Sequence, residues 1–258
     1  MRVTIIIDET SFFHPIFVTN LIKRFNDMNF LIQGVIVKKI PEKNSLEKYM
    51  IKNFYYLKVT ELIKLLFLKI KYFFLNIIFA KGFNRKYFSV ESTFKNFSIN
   101  YFNVKLDINN IRYLKIIKSF KPHFIISSNS LYFKKKLLNI PRYACLNRHT
   151  SLLPSYGGLW PVFYAIANNE KYYGVSVHSM SKKIDSGKIY SQKKMKLNEK
   201  NLYKLYNNSF LVSDKVIIDA INNFKKKKFF FPNYKSSYFS FPKKKDWKKF
   251  RKNGGKFI

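Results

Sequence analysis

The chain has 258 residues, 47% apolar and 19% aromatic, with 49 Lys and Arg against 14 Asp and Glu for a net charge of +35. That length suits one large domain with at most a small appendage, and the apolar content is enough to bury a sizeable core. A single cysteine, Cys145, excludes an intramolecular disulfide, and no Cys/His cluster has zinc-ligand spacing.

The charge admits three readings: a nucleic-acid or anionic-lipid partner, a polyanionic small substrate, or a coding bias that enriches Lys, Asn, Ile, Phe and Tyr together. The lysines are spread along the whole chain, which favours the bias. Met1 to Asp8 is too short and too soon acidic for a signal peptide, so a cytoplasmic protein is expected.

Val3 to Ile7 is a β-branched apolar run, as in a parallel strand covered on both faces. Residues 15–28 carry apolar positions at helical spacing, and Leu31 to Val37 is a second apolar run. Strand, helix, strand opens a doubly wound, mostly parallel α/β sheet of Rossmann type. Residues 41–100 interrupt it with a basic helical insertion. Tyr55 to Ala80 is strongly apolar, yet Lys58, Glu61, Lys64, Lys69 and Lys71 break any span of membrane-crossing length. Such a stretch fits a helical hairpin on the sheet, or a helix lying on a membrane surface or partner.

The α/β rhythm resumes with a weak strand at Asn103 to Lys105, a helix over Ile108 to Phe120 and a strand over His123 to Ser127. A short helix over Leu131 to Leu138 and a strand over Tyr143 to Leu146 follow. Beyond Ser155-Tyr156-Gly157-Gly158 comes a helix from about Trp160 to Ala167. Gly174 to Met180 and Lys188 to Met195 then read as a β-hairpin with Asp185 in its connection. A long helix from Asn201 to Phe224 leads to a basic, aromatic tail. The expected organisation is a catalytic domain over 1–200, with the insertion at 41–100, and a C-terminal extension over 201–258.

Asn147-Arg148-His149-Thr150-Ser151-Leu152-Leu153-Pro154 is expected just beyond a strand's carboxyl end, where open α/β sheets bind ligands. Asp185-Ser186-Gly187 follows 36 residues after His149, in a chain with only 4 His. An amide, an imidazole and a carboxylate are groups that stabilise an oxyanion, move a proton and orient the proton carrier. Each alone has an ordinary reading: a turn residue, a loop histidine, hairpin chemistry. His178, on a predicted strand, reads as a packed histidine.

Asn-x-His-x-Ser-Leu-Leu-Pro, then a helix, a Gly-Val-x-Val-His strand and an Asp-x-Gly loop, resembles the formyltetrahydrofolate-dependent formyltransferase family. The close match covers about residues 123–195, with a looser match in strand order over 1–122. The resemblance implies the formyltransferase fold, a 10-formyltetrahydrofolate donor and no metal. It implies that Asn147 binds the formyl oxygen, that His149 helps move the proton, and that Asp185 orients His149 or a water. It also implies a folate site on the loops around Ser130, Leu131 and Phe133 and around Lys183 and Ile184. Gly157-Gly158 stands where an Arg-Gly is common.

On the acceptor side the chain departs from the family's best-known members. Asp8-Glu9 follows the first strand without the glycine-rich phosphate loop of the glycinamide ribonucleotide enzymes, and two carboxylates there repel a phosphate. A β-rich second domain like that of the methionyl-tRNA enzymes is not expected in the residues after Met195. The expected acceptor is therefore a primary amine of a phosphorylated or nucleotide-linked amino sugar, with Asp8 or Glu9 holding the amine or a hydroxyl. A methionyl-tRNA-type activity, and a basic RNA-binding protein on the same fold, are the alternatives, with peripheral membrane contact also open.

Overall fold

The computed structural model describes residues 1–9, 12–38, 46–78, 88–105, 107–129 and 131–258, the side chains of 46 and 47 excepted. In chain order the first half comprises β1 (Arg2–Asp8), α1 (His14–Asp27), β2 (Leu31–Val37), α2 (Leu46–Lys52), α3 (Val59–Ile78), α4 (Val90–Asn96) and β3 (Asn100–Val104). There follow α5 (Ile111–Ser119), β4 (Phe124–Ser128), α6 (Lys135–Leu138), β5 (Ala144–His149) and β6 (Gly157–Gly158). The rest is α7 (Pro161–Ala167), β7 (Tyr172–Ser179), β8 (Ile189–Lys196), α8 (Leu202–Lys225), β9 (Tyr238–Phe239) and α9 (Lys244–Lys252). The chain divides into two compact units. The first comprises 1–45, 72–148 and 179–187, the second 46–71, 149–178 and 188–258.

In the first unit five strands lie in the order β3-β2-β1-β4-β5, every pair parallel. The chain builds to one side of β1 and then crosses back to build on the other. That reversal places a topological switch point at the carboxyl ends of β1 and β4. Val3, Ile5, Ile6 and Ile7 are buried because helices cover both faces. On one face Ile6, Val35, Ile125 and Cys145 pack with Tyr113, Leu114 and Ile117 of α5 and Leu137 of α6. On the other, the Phe94 ring of α4 lies so close to Gly34 of β2 that any Cβ there would collide with it. The α1 helix packs against α4 and β2. The doubly wound, mostly parallel α/β class expected from the sequence is the observed one.

Several element boundaries differ from expectation, among them that of α5, which starts at Ile111 and not Ile108. The strand expected at 103–105 is β3, Asn100–Val104, in register with Gln33 to Val37 of β2. The helix expected over 131–138 forms only at Lys135–Leu138. Ahead of it the Asn129 side chain takes the Leu131 N–H (2.9 Å) and the Asn109 side chain takes the Lys134 N–H (2.7 Å), which holds the backbone extended. The strand expected to stop at Leu146 runs on to His149, with Asn147 paired to Ser127. The motif's first three residues are thus the end of a strand rather than the loop beyond it.

The second unit is organised around α7, buried along its whole length. Leu202 and Leu205 of α8 and Trp247 and Phe250 of α9 close over it. Phe163 and Phe250 stack with centroids 4.4 Å apart, and the Trp247 ring stands edge-on to Phe163 at 4.9 Å. Burying a ring of that size contributes roughly 2–3 kcal/mol. The basic C-terminal segment is therefore a wall of the core despite its lysines. β7 and β8 form the expected antiparallel pair, and β6 pairs with β9. Among the described residues no helix is long and apolar enough to cross a membrane.

Candidate active site

Asn147 and His149 are two residues apart on β5, so their side chains leave the same face of the strand, and Arg148 leaves the other. The His149 ring Nε2 lies 2.9 Å from the Tyr156 carbonyl oxygen. A carbonyl only accepts, so this nitrogen carries the hydrogen and donates it. Proton exchange by the imidazole therefore falls to Nδ1.

The loop after His149 is fastened to β7 and β8 by a buried polar hub. Ser176 Oγ donates to the Ser151 carbonyl (2.6 Å) and accepts from Leu153 N–H (3.0 Å) and Gln192 Nε2 (2.8 Å). Gln192 Nε2 also donates to the Leu153 carbonyl (2.7 Å). The Leu153-Pro154 bond is cis. Neither Ser176 nor Gln192 stands out in the sequence, since each is one polar residue among others in its strand.

Asp185 lies in the connection between β7 and β8 with φ of +51°, in the left-handed region that Asp and Asn tolerate better than most residues. Ser181 Oγ and Ser186 Oγ both donate to the Lys183 carbonyl, at 2.9 and 2.8 Å, and close the loop on itself. Gly187 permits this fold: a Cβ there would drive into the Ser179 carbonyl oxygen. Within the first unit Met180 N–H donates to the Cys145 carbonyl (2.8 Å), two residues before Asn147.

The loop after β4 starts with an Asx-turn at Asn129, whose Nδ2 also donates to the Ile6 carbonyl of β1 (3.0 Å). Tyr132 Oη donates to the Lys182 carbonyl (3.3 Å) and so joins this loop to the one that carries Asp185. Of the expected folate residues, Ser130 lies outside the described residues. Leu131 and Phe133 are buried in the core under α5 and α6, whereas Lys183 and Ile184 are exposed. Tyr132, 47% exposed, is the side chain that this loop presents outward.

At the end of β1 the two carboxylates have different surroundings. Glu9 caps α4: its oxygens accept the N–H groups of Val90 (2.9 Å) and Glu91 (3.1 Å), with Lys38 at 3.6 Å. Burial raises its pKa, and the Val90 amide and Lys38 offset that only in part. Asp8 is half-buried at the switch point, and its carbonyl receives His14 Nδ1 (2.9 Å). Burial, helped by the positive charge of Arg148, lowers the His14 pKa to about 3. His14 is thus neutral and donates to Asp8. Among the described residues no group of three or more His, Cys, Asp or Glu is placed to hold a metal.

Residues 107–221 match the family model described as formyl transferase. Over those residues the chain is similar to the formyltransferase family. It is 40% identical over 102 residues to the bifunctional polymyxin resistance protein ArnA of Wigglesworthia glossinidia brevipalpis, a match covering 38% of this chain and 15% of that protein. It is 34% identical over 116 residues to methionyl-tRNA formyltransferase of Thermodesulfovibrio yellowstonii, covering 44% and 38%. The chain thus spans well under half the length of either relative. Among solved structures it is similar to the N-formyltransferase of Helicobacter canadensis in complex with folinic acid and dTDP-3-aminofucose. That similarity has a TM-score of 0.53 and 18% identity, over 95% of this chain and 72% of the other. At that identity the likeness is one of fold.

Proposed function

We propose that this protein transfers a formyl group from 10-formyltetrahydrofolate to a primary amine of an amino-sugar nucleotide. The observation that carries the reading is the arrangement at the end of β5. Asn147 and His149 share one strand face, and His149 is held with its Nε2–H committed to Tyr156, which leaves the chemistry to Nδ1.

The donor supplies a formyl carbon bound to a nitrogen that leaves once protonated. Asn147 donates an amide N–H to the formyl oxygen as negative charge grows there, and His149 in its charged form donates from Nδ1 to the same centre. Asp185 accepts the proton that the attacking amine must shed as its bond to carbon forms. That proton is passed to the departing nitrogen, so the step balances without a metal or a covalent enzyme adduct. The backbones of the loops around Leu131 and Lys183, joined by the Tyr132–Lys182 hydrogen bond, offer the edge donors and acceptors that a flat pterin requires.

Asp8 is the carboxylate assigned to the acceptor amine or a sugar hydroxyl, because both oxygens of Glu9 serve α4. The sugar-nucleotide reading is supported by the departure at β1, where a carboxylate pair follows the strand, and by the fold shared with an enzyme solved with dTDP-3-aminofucose. Methionyl-tRNA is the second reading. It is favoured by the identity to a methionyl-tRNA formyltransferase and by the charge of +35.

The test is a panel of dTDP- and UDP-linked amino sugars and methionyl-tRNA, each supplied with 10-formyltetrahydrofolate, with tetrahydrofolate release as the readout. Turnover on an amino-sugar nucleotide is expected. Turnover on methionyl-tRNA alone overturns the acceptor assignment, and turnover on nothing, from folded protein, overturns the formyl-transfer reading.

A further inference from the structure

α3 has two apolar faces, and the second unit buries only one. Leu62 and Leu65 pack into the core around α7, and Glu61 beside them is buried against Arg251. On the opposite side Val59, Ile63, Leu66, Phe67 and Ile70 recur at i, i+4, i+7, i+8 and i+11, which makes one continuous stripe. These five side chains are 43–70% exposed, and Phe54 and Tyr55 in the turn just before the helix are exposed as well. The helix continues with the same spacing through Phe73, Phe74 and Ile77, also exposed. A contiguous apolar surface of this kind marks a contact site.

The charges say what kind. Lys64 and Lys71 are one heptad apart and line one flank of the stripe; Lys58 and Lys69 line the other. All four are exposed. From Lys48 to Lys71 there are six lysines and a single acid, Glu61, which is buried on the other face. A second copy of the chain laid against the stripe would bring lysine rows together with no acid to answer them, on molecules that each carry +35. An anionic surface answers both features at once. Apolar side chains enter it while flanking lysines extend along their stems to reach the headgroups.

We infer that the exposed face of α3, with Phe54 and Tyr55, is a docking surface for an anionic lipid bilayer, on which the helix lies in the interfacial plane. This inference is independent of the formyl-transfer reading.

The test is flotation of the full chain with vesicles of pure phosphatidylcholine and of equimolar phosphatidylcholine and phosphatidylglycerol. The wild type is expected to float with the anionic vesicles, and part of the binding should persist at about 0.5 M salt, where charge alone is screened within a few ångströms. The variant Ile63→Asp/Phe67→Asp/Ile70→Asp changes only exposed positions. It should keep the wild-type circular dichroism and lose at least roughly tenfold in partitioning. Lys64→Gln/Lys71→Gln should lose about fivefold per lysine on anionic vesicles and almost nothing on neutral ones. Equal flotation of the triple-Asp variant and the wild type would assign the attraction to bulk charge and overturn the proposal. So would a wild type that ignores vesicles, or one whose dimer is lost in the triple-Asp variant while vesicles leave it untouched.

Discussion

Glu61, in the first turn of α3, grips Arg251 of α9 across 190 residues of sequence, with Oε1 taking Nη1 at 2.7 Å and Oε2 taking Nη2. The same carboxylate accepts the Phe257 N–H (2.7 Å) and the Lys58 N–H (3.0 Å). Arg251 Nη1 also reaches the Gly255 carbonyl. One buried acid thus ties the start of α3 to the last turns of the chain.

Removing that acid takes its acceptor away from a guanidinium and from two backbone N–H groups, those of Phe257 and Lys58. Glu61→Ala is expected to cost roughly 3–5 kcal/mol, as for one partner of a buried pair. Glu61→Gln keeps an acceptor and should cost less. Urea unfolding followed by circular dichroism measures both, and a loss below about 0.5 kcal/mol for Glu61→Ala would show the contact to be incidental.

The pair also predicts a pH dependence. Burial by itself would raise the Glu61 pKa, but hydrogen bonds from Arg251, Phe257 and Lys58 outweigh it and hold it below the ordinary 4.5. A carboxylate with a depressed folded pKa contributes stability that is complete above the unfolded value and is lost as pH falls through the folded one. The stability gap between wild type and Glu61→Gln should therefore be steady at neutral pH and narrow below about pH 4.5. Denaturation midpoints of both proteins measured down that range decide it; a constant gap would contradict the assignment.

The sequence showed some of this and concealed the rest for physical reasons. β1 is legible because Val3 to Ile7 is an unbroken β-branched run, as a strand covered on both faces must be. The Asn147, His149 and Asp185 triple is legible because such groups are scarce in so apolar and basic a chain. Glu61 was not, since nothing local names a partner 190 residues away. α9 reads as part of a basic, aromatic tail by composition, and Trp247 and Phe250, three residues apart, form its buried stripe. Leu131 and Phe133 have the character of a binding wall, yet an Asx-turn at Asn129 directs them into the core instead.

Gly187 should be intolerant of any side chain. A Cβ would meet the Ser179 carbonyl, so Gly187→Ala must displace the loop that positions Asp185. Because that loop is exposed over most of its length, the expected result is a small change in Tm and a fall in kcat of at least roughly tenfold. Wild-type kcat in Gly187→Ala would mean that the loop's shape does not matter to turnover.

Ser176 is fully buried and serves three partners, so Ser176→Ala strands the Leu153 N–H and the Ser151 carbonyl beneath the surface. A cost of about 2–3 kcal/mol is expected. If Ser176 positions the loop after His149 rather than merely filling space, kcat should fall while donor KM stays near wild type, and Ser176→Thr should restore part of it. Loss of stability with unchanged kcat would assign it a structural role alone.

The catalytic proposal makes its sharpest prediction at Asp185. Asn is nearly isosteric with Asp and tolerates the left-handed backbone at φ of +51°, so Asp185→Asn removes the charge and leaves the fold in place. Ala at the same position adds backbone strain and confuses the two effects. Asp185→Asn is expected to lower kcat/KM by roughly 10²-fold or more with an unchanged Tm; Asn147→Ala and His149→Ala are expected to lower kcat/KM as far. The three should not add: once Asn147 no longer steadies the oxyanion, the proton relay of His149 and Asp185 has less to assist, so the Asn147→Ala/Asp185→Asn pair should fall short of the product of the single losses. Steady-state rates of the singles and the double on the active acceptor measure this. Near-normal rates in all three singles would remove the site assignment, and strict additivity in the double would separate Asp185 from the chemistry at Asn147.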